Sequence, residues 1–116
     1  VKTSSFFSEK INNEMNLVSI AGLAPKEIQE KYPNMKSYDS LKPPQNLVLD
    51  YKSGKITEKE YTRIYKEQLN NLDPFQVYND LKDSILLCWE PPGRFCHRHL
   101  VSKWISTNVL VPVIEL

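Results

Sequence analysis

Short apolar blocks stand near both ends of the chain, and apolar residues recur at helical spacing through its middle. Residues 1–7 are β-branched and aromatic and predict a strand carrying hydroxyls at Thr3, Ser4 and Ser5. Residues 16–22 predict a second strand. Gly22 closes it, where a glycine permits a tight turn or close approach of a ligand. Residues 24–28 open a short helix with Pro25 in its first turn. Residues 32–44 carry three prolines and predict a surface loop, long enough to act as a lid or binding loop.

Helices follow. Residues 45–52 form a short one, stopped near Gly54. Thr57 and Glu60 make a capping box. Beyond it Tyr61, Ile64, Tyr65 and Leu69 share one face. Asp73-Pro74 pairs an N-cap with a first-turn proline, and Phe75, Tyr78 and Leu81 give the next face. The run at 84–89 (Ser-Ile-Leu-Leu-Cys-Trp) has the length and continuous apolarity of a strand buried on both faces of a parallel sheet. Pro91-Pro92-Gly93 breaks it. Residues 97–106 predict a helix with Leu100, Val101, Trp104 and Ile105 inward. Residues 109–114 predict a last strand, placed at a sheet edge by Pro112. Strand, strand, helices, strand, helix, strand predicts an α/β fold with a small, mostly parallel sheet flanked by helices.

Composition narrows the partners. A chain of 116 residues suits a single domain, 1–116. Fifteen basic against 14 acidic residues leave a net charge of +1. That excludes nucleic-acid binding by bulk charge and makes a nucleic-acid partner unexpected. Two cysteines, Cys88 and Cys96, make no disulfide framework and point to a reducing cytoplasm. No apolar run approaches the roughly 20 residues of a membrane span, so no membrane is expected.

Candidate chemistry is concentrated near the C-terminus. Seven capable side chains fall in the 12 positions from Cys88 to His99, laid out as buried strand, tight loop and helix. In open α/β sheets ligands bind where strands end and helices begin, and a helix start favours an anion. Four readings compete. Cys88-x5-Arg94 has the spacing of the cysteine phosphatase and rhodanese loop, but Pro91 and Pro92 remove two of the amide donors that loop needs. Cys88, Cys96, His97 and His99 are potential metal ligands. On a helix, however, adjacent Cys96 and His97 point apart and His97 and His99 lie about 200° apart, so no metal and no cofactor is assigned. A polar pocket is the favoured reading. There Cys96 beside Arg98 has a depressed thiol pKa, Glu90 pairs with Arg98 or meets a ligand, and His97 serves an anion or acts as acid–base. The plainest reading makes Cys88 a small buried hydrophobe and Glu90, His97 and Arg98 a structural network.

Those residues carry a resemblance. Leu86-Leu87-Cys88-x-Glu90-x5-Cys96-His97-Arg98-His99-Leu100 resembles the signature of the domain of unknown function 488 family, with Leu-Cys-x-Glu at a strand end and Cys-His-Arg at a helix start. Thr3-Ser4-Ser5-Phe6 resembles the Thr-Ser-Tyr-Phe opening of a small bacterial and phage branch. Val18-Ser19-Ile20-Ala21-Gly22, Leu41-Lys42-Pro43 and Glu60-Tyr61-x3-Tyr65 follow that branch's order. Ser5 departs from it where an aromatic usually stands, leaving Phe6 or Phe7 to replace a stacking partner. Residues 32–40 also depart from it. The resemblance implies a Rossmann-like domain in which Cys88, Glu90, Cys96, His97 and Arg98 belong to one motif, and it implies no established reaction.

By the same order Thr3, Ser4, Ser19 and Gly22 gather at the sheet edge of Cys88. With Arg98, and Lys42 from the proline-rich loop, they suit a phosphate-bearing or ribosyl ligand. Trp89 and Phe95 flank the loop as base-stacking or core residues. The expectation is a nucleotide-binding domain, in a phage a protein that sequesters a host immune signalling nucleotide. The alternatives are a small nucleotide- or nucleoside-acting enzyme using Glu90 or His97 as acid–base and Cys96 as nucleophile, and a protein–protein inhibitor acting through residues 32–44 or the helical face near Tyr61. A homo-oligomer could complete a shared pocket.

Overall fold

The Ile-Leu-Leu-Cys run forms the middle of a five-stranded parallel sheet. A computed structural model describes residues 1–91 and 93–116; the expected backbone role of Pro92 lies outside the described residues. In chain order the elements are β1 (Lys2–Ser5), β2 (Leu17–Ser19), α1 (Lys26–Lys31), β3 (Lys36–Ser37), a 3-10 turn (Asp39–Leu41), α2 (Gln45–Lys52), α3 (Glu58–Asn70), α4 (Pro74–Leu81), β4 (Ile85–Cys88), α5 (His97–Val109) and β5 (Ile114–Glu115). The strand order is β3-β2-β4-β1-β5, with Ser5 opposite Cys88 and Ser19 opposite Leu87. All four residues of β4 are buried, as an inner strand of a parallel sheet requires.

Side-chain alternation divides the core into two layers. Val18, Ile20 and Leu86 pack with Tyr65, Leu69, Val77, Leu81, Val101 and Ile105 from α3, α4 and α5. Leu17, Ala21, Ile85 and Leu87 face the other way, onto Ile28 of α1 with Phe6, Ile11 and Tyr32. The sheet is therefore covered on both faces, a Rossmann-like arrangement.

Local signals fix the helices. Thr57 accepts from the Glu60 amide while the Glu60 side chain bonds the Thr57 amide, closing the capping box. Asp73 accepts from the Phe75 amide ahead of Pro74 in the first turn of α4. Gly54 adopts a φ of 81° just past α2, a conformation glycine reaches without steric cost.

Several expectations are corrected. Pro25 is the N-cap of α1 rather than part of its first turn. Phe75 is exposed; Val77 and Leu81 carry the buried face of α4. The last strand is two residues, because α5 runs on to Val109 and Leu110 ends it in a left-handed conformation. Pro112 therefore precedes the edge strand instead of lying in it. Residues 32–44 are not a loose lid. They contribute β3, the Tyr38 hydroxyl donates to Asp80 at 2.7 Å, and Leu41 is fully buried. The Leu41 carbonyl accepts from the Tyr65 hydroxyl, and Gln68 Nε2 donates to the carbonyls of Ser40 and Lys42.

Candidate functional site

Neighbouring strands β2 and β4 send their chains to opposite faces of the sheet, β2 into α1 and β4 into α5. That divergence leaves a crevice beyond their C-terminal ends, the place where open parallel sheets bind ligands. A pocket of about 490 Å³ occupies it. Ala21, Gly22 and Leu23 follow β2 along one side; Cys88 at the end of β4, with Trp89 and Glu90 after it, lies along the other. The remaining wall comes from Pro43, Gln45, Val48, Leu49, Tyr51 and Lys52 around α2, with Tyr61 and Phe95 behind. Phe95 packs edge-on to Tyr51 and Tyr61, with ring centroids 5.3 and 5.2 Å away. Leu23 and Leu49, exposed by 74% and 56%, give the mouth an apolar rim of the kind that marks a binding surface.

Cys88, Cys96 and His97 form the buried floor. His97 Nε2 lies 2.7 Å from the Ile20 carbonyl. A carbonyl only accepts, so Nε2 is assigned the proton and, in the neutral ring, Nδ1 presents its lone pair. Nδ1 lies 3.4 Å from Cys88 Sγ and 3.8 Å from Cys96 Sγ. The two thiols influence each other in opposite directions. Their shared hydrogen bond, with burial next, pushes the Cys88 thiol up. The same bond is the main influence holding Cys96 down; burial opposes it, and His97 assists.

Cys96 also explains why the ligand geometry was misjudged from sequence. It is the N-cap of α5, with φ −152° and ψ 145°, and so is extended rather than helical. Adjacent residues within a helix point apart, but the sulfur of this extended N-cap and the His97 ring converge. His99 stays outside the three-residue cluster.

The other expected site residues divide. Gly22, Cys88, Glu90, Cys96 and His97 line the pocket; Thr3, Ser4, Ser19, Lys42 and Arg98 do not. Arg98 is fully buried and paired elsewhere. Its Nε and Nη2 bond the Glu115 carboxylate, Nη2 at 2.8 Å, and Nη1 donates to the Glu90 carbonyl at 2.7 Å. Arg98 thus holds the backbone of the β4–α5 loop and meets Glu115, not the Glu90 carboxylate. The Thr3 hydroxyl donates to Glu115 at 2.6 Å. Ser19 Oγ accepts from the Ala21 amide, and Lys42 pairs with Asp39. Ser4 Oγ is buried without a partner among the described residues.

Gly22 has no positive φ, and a Cβ there would meet nothing within 4 Å. It leaves open space beside the pocket instead of serving a turn. Trp89 Nε1 donates to the Leu23 carbonyl at 2.8 Å, spanning the two strand ends. Its ring meets Phe6 and Phe7 at 6.1 and 6.3 Å, so these aromatics do pack where Ser5 carries none. Of the surface the inhibitor reading invokes, Tyr32, Leu41, Pro43 and Tyr61 are buried, while Pro33, Asn34, Lys36, Ser37, Asp39, Ser40 and Pro44 are exposed.

The wall from α2 was missed. Its signal was a surplus: Leu47, Val48 and Leu49 are three consecutive apolar residues, more than one narrow helix face can bury. Leu47 is buried, while Val48 and Leu49 line the pocket.

A family model, DUF488-N3a, described as the active DUF488-N3 subclade, matches residues 1–109. The match takes in the whole pocket and the Cys-His-Arg segment and stops short of Glu115. Comparison with curated proteins and with solved structures gives no match.

Proposed function

The chain belongs to the active DUF488-N3 subclade, and on that premise we propose that it takes a nucleotide-derived ligand into this pocket, base first, and acts on it at the Cys88–Cys96–His97 floor. The observation that carries this reading is the pocket's division into an aromatic and aliphatic wall and one compact polar end. A flat heterocycle suits Trp89, Phe95 and Tyr51. The floor supplies sulfur and imidazole, and Glu90 supplies a carboxylate.

The anion expectation is reduced accordingly. Arg98 is spent on Glu115, Lys42 on Asp39, and Lys52 is the one cationic side chain lining the pocket among the described residues. A nucleoside or nucleoside monophosphate therefore fits better than a polyphosphate. The description of the subclade as active favours turnover over storage.

Thermal unfolding against nucleosides, their mono- and diphosphates and cyclic nucleotides tests this. A ligand at 100 times its Kd should stabilise the protein by about 2.7 kcal/mol, with nucleosides and monophosphates ahead of diphosphates. Mass spectrometry after prolonged incubation should then find the ligand changed. Recovery of intact ligand would favour sequestration, the role expected of a phage protein acting on a host signal. No stabilisation by any of the four groups would refute the reading.

A further inference from the structure

The three groups on the pocket floor have the spacing of a metal site. Cys88 Sγ, Cys96 Sγ and a His97 ring nitrogen all lie within 4.8 Å of one another, and all three residues are buried. We propose that Cys88, Cys96 and His97 hold one zinc(II) ion, with its fourth coordination position open to the pocket. This goes beyond the nucleotide reading and stands whether or not a nucleoside binds there.

Zinc–sulfur bonds of about 2.3 Å and zinc–nitrogen bonds of about 2.0–2.1 Å set sulfur and nitrogen about 3.6 Å apart across a tetrahedral angle. His97 Nδ1 lies 3.4 and 3.8 Å from the two sulfurs, on either side of that separation. Cys88 Sγ also lies 4.0 Å from Nε2, so seating the ion carries this sulfur round the ring edge toward the Nδ1 lone pair.

The surroundings suit a metal ligand set. Metal-binding histidines usually donate their second ring N–H to a carboxylate or carbonyl, which fixes the ring and its tautomer; His97 does so to Ile20. Two sulfurs and one imidazole favour zinc over the oxygen-seeking magnesium and calcium. Three protein ligands with an open position are the pattern of catalytic rather than structural zinc. The pocket lies on the open side, with Glu90 among its lining residues.

Elemental analysis of tag-free protein purified without chelators should find about one zinc per chain. Cobalt(II) replacement should give a thiolate-to-metal charge-transfer band and the intense visible bands of a tetrahedral ion. X-ray absorption should resolve sulfur and imidazole in the first shell. Cys88→Ser and His97→Gln should each weaken zinc binding by at least roughly tenfold, while His99→Gln should retain it. The cobalt spectrum is read on the unaltered chain, so it decides even where a variant fails to fold. Three results would overturn the proposal: no uptake from stoichiometric zinc, cobalt binding without a thiolate band, or cysteines recovered as a Cys88–Cys96 disulfide. Loss of zinc from a folded His99→Gln variant would overturn the assigned ligand set.

Discussion

Replacing Glu115 with Gln should cost about 3 kcal/mol of stability, a large share of the roughly 5–15 kcal/mol typical of a whole domain. The cause is the charge left behind. Arg98 is 0% exposed, and in the folded protein its Glu115 partner supplies the one opposing carboxylate within ion-pair distance among the described residues. The amide oxygen of Gln can still accept from Arg98 and Thr3, so the loss isolates the uncompensated charge. Breaking one side of a buried pair costs more than replacing both sides by apolar groups. The Arg98→Met/Glu115→Leu double variant should therefore recover most of the loss, and urea denaturation of the three proteins measures it. A Glu115→Gln variant within about 0.5 kcal/mol of the parent would refute this account of Arg98.

The pair also sets a pH dependence. Burial pushes the Glu115 carboxyl up, but its bonds with Arg98 and Thr3 outweigh burial and hold it below its ordinary 4.5. A lowered pKa stabilises the folded state above the unfolded value and loses that contribution as pH falls through the folded one. Stability should accordingly drop below about pH 4.5, and the acid limb should flatten in Glu115→Gln.

The largest effect on binding should come from Gly22→Leu. A Cβ at this position meets open space, and the backbone conformation is one any residue adopts. The fold should tolerate the change within about 0.5 kcal/mol. Gly22 lines the pocket, so a bulky side chain there should narrow it, and the stabilisation of about 2.7 kcal/mol expected at 100 times Kd should be lost. Thermal unfolding with and without nucleoside separates the two effects. Undiminished stabilisation of the variant would place the ligand elsewhere.

Much of the framework was legible because its causes are local. The capping box at Thr57 and Glu60, the Asp73-Pro74 helix start and the wholly apolar β4 are each decided by a few neighbouring residues. The misjudgements arose where distant parts of the chain compete. The neighbours of Arg98 offered Glu90 or a bound anion as its partner, yet its partner Glu115 comes from β5, at the sheet edge. Thr3 is spent on the same carboxylate. Residues 32–44 read as a surface loop or lid because proline bars helix, but Tyr65, Gln68 and Asp80 hold them through contacts no local pattern records. Cys96 was given helical geometry in judging where its sulfur points, and its extended conformation at that boundary is what lets its sulfur meet His97 and Cys88. The pocket's aliphatic wall was hidden for a related reason, since α2 reaches it only through the folded path of the preceding turn.

Trp89 offers the most direct test of the pocket, because it lines the space and bridges both strand ends. In a Trp104→Phe variant Trp89 is the sole tryptophan, so its fluorescence can be followed during titration with adenosine, guanosine and their monophosphates. Saturable quenching or a spectral shift with at least one of them, abolished by Gly22→Leu, is the predicted result. Stabilisation by a nucleoside that leaves Trp89 emission unchanged would contradict the account.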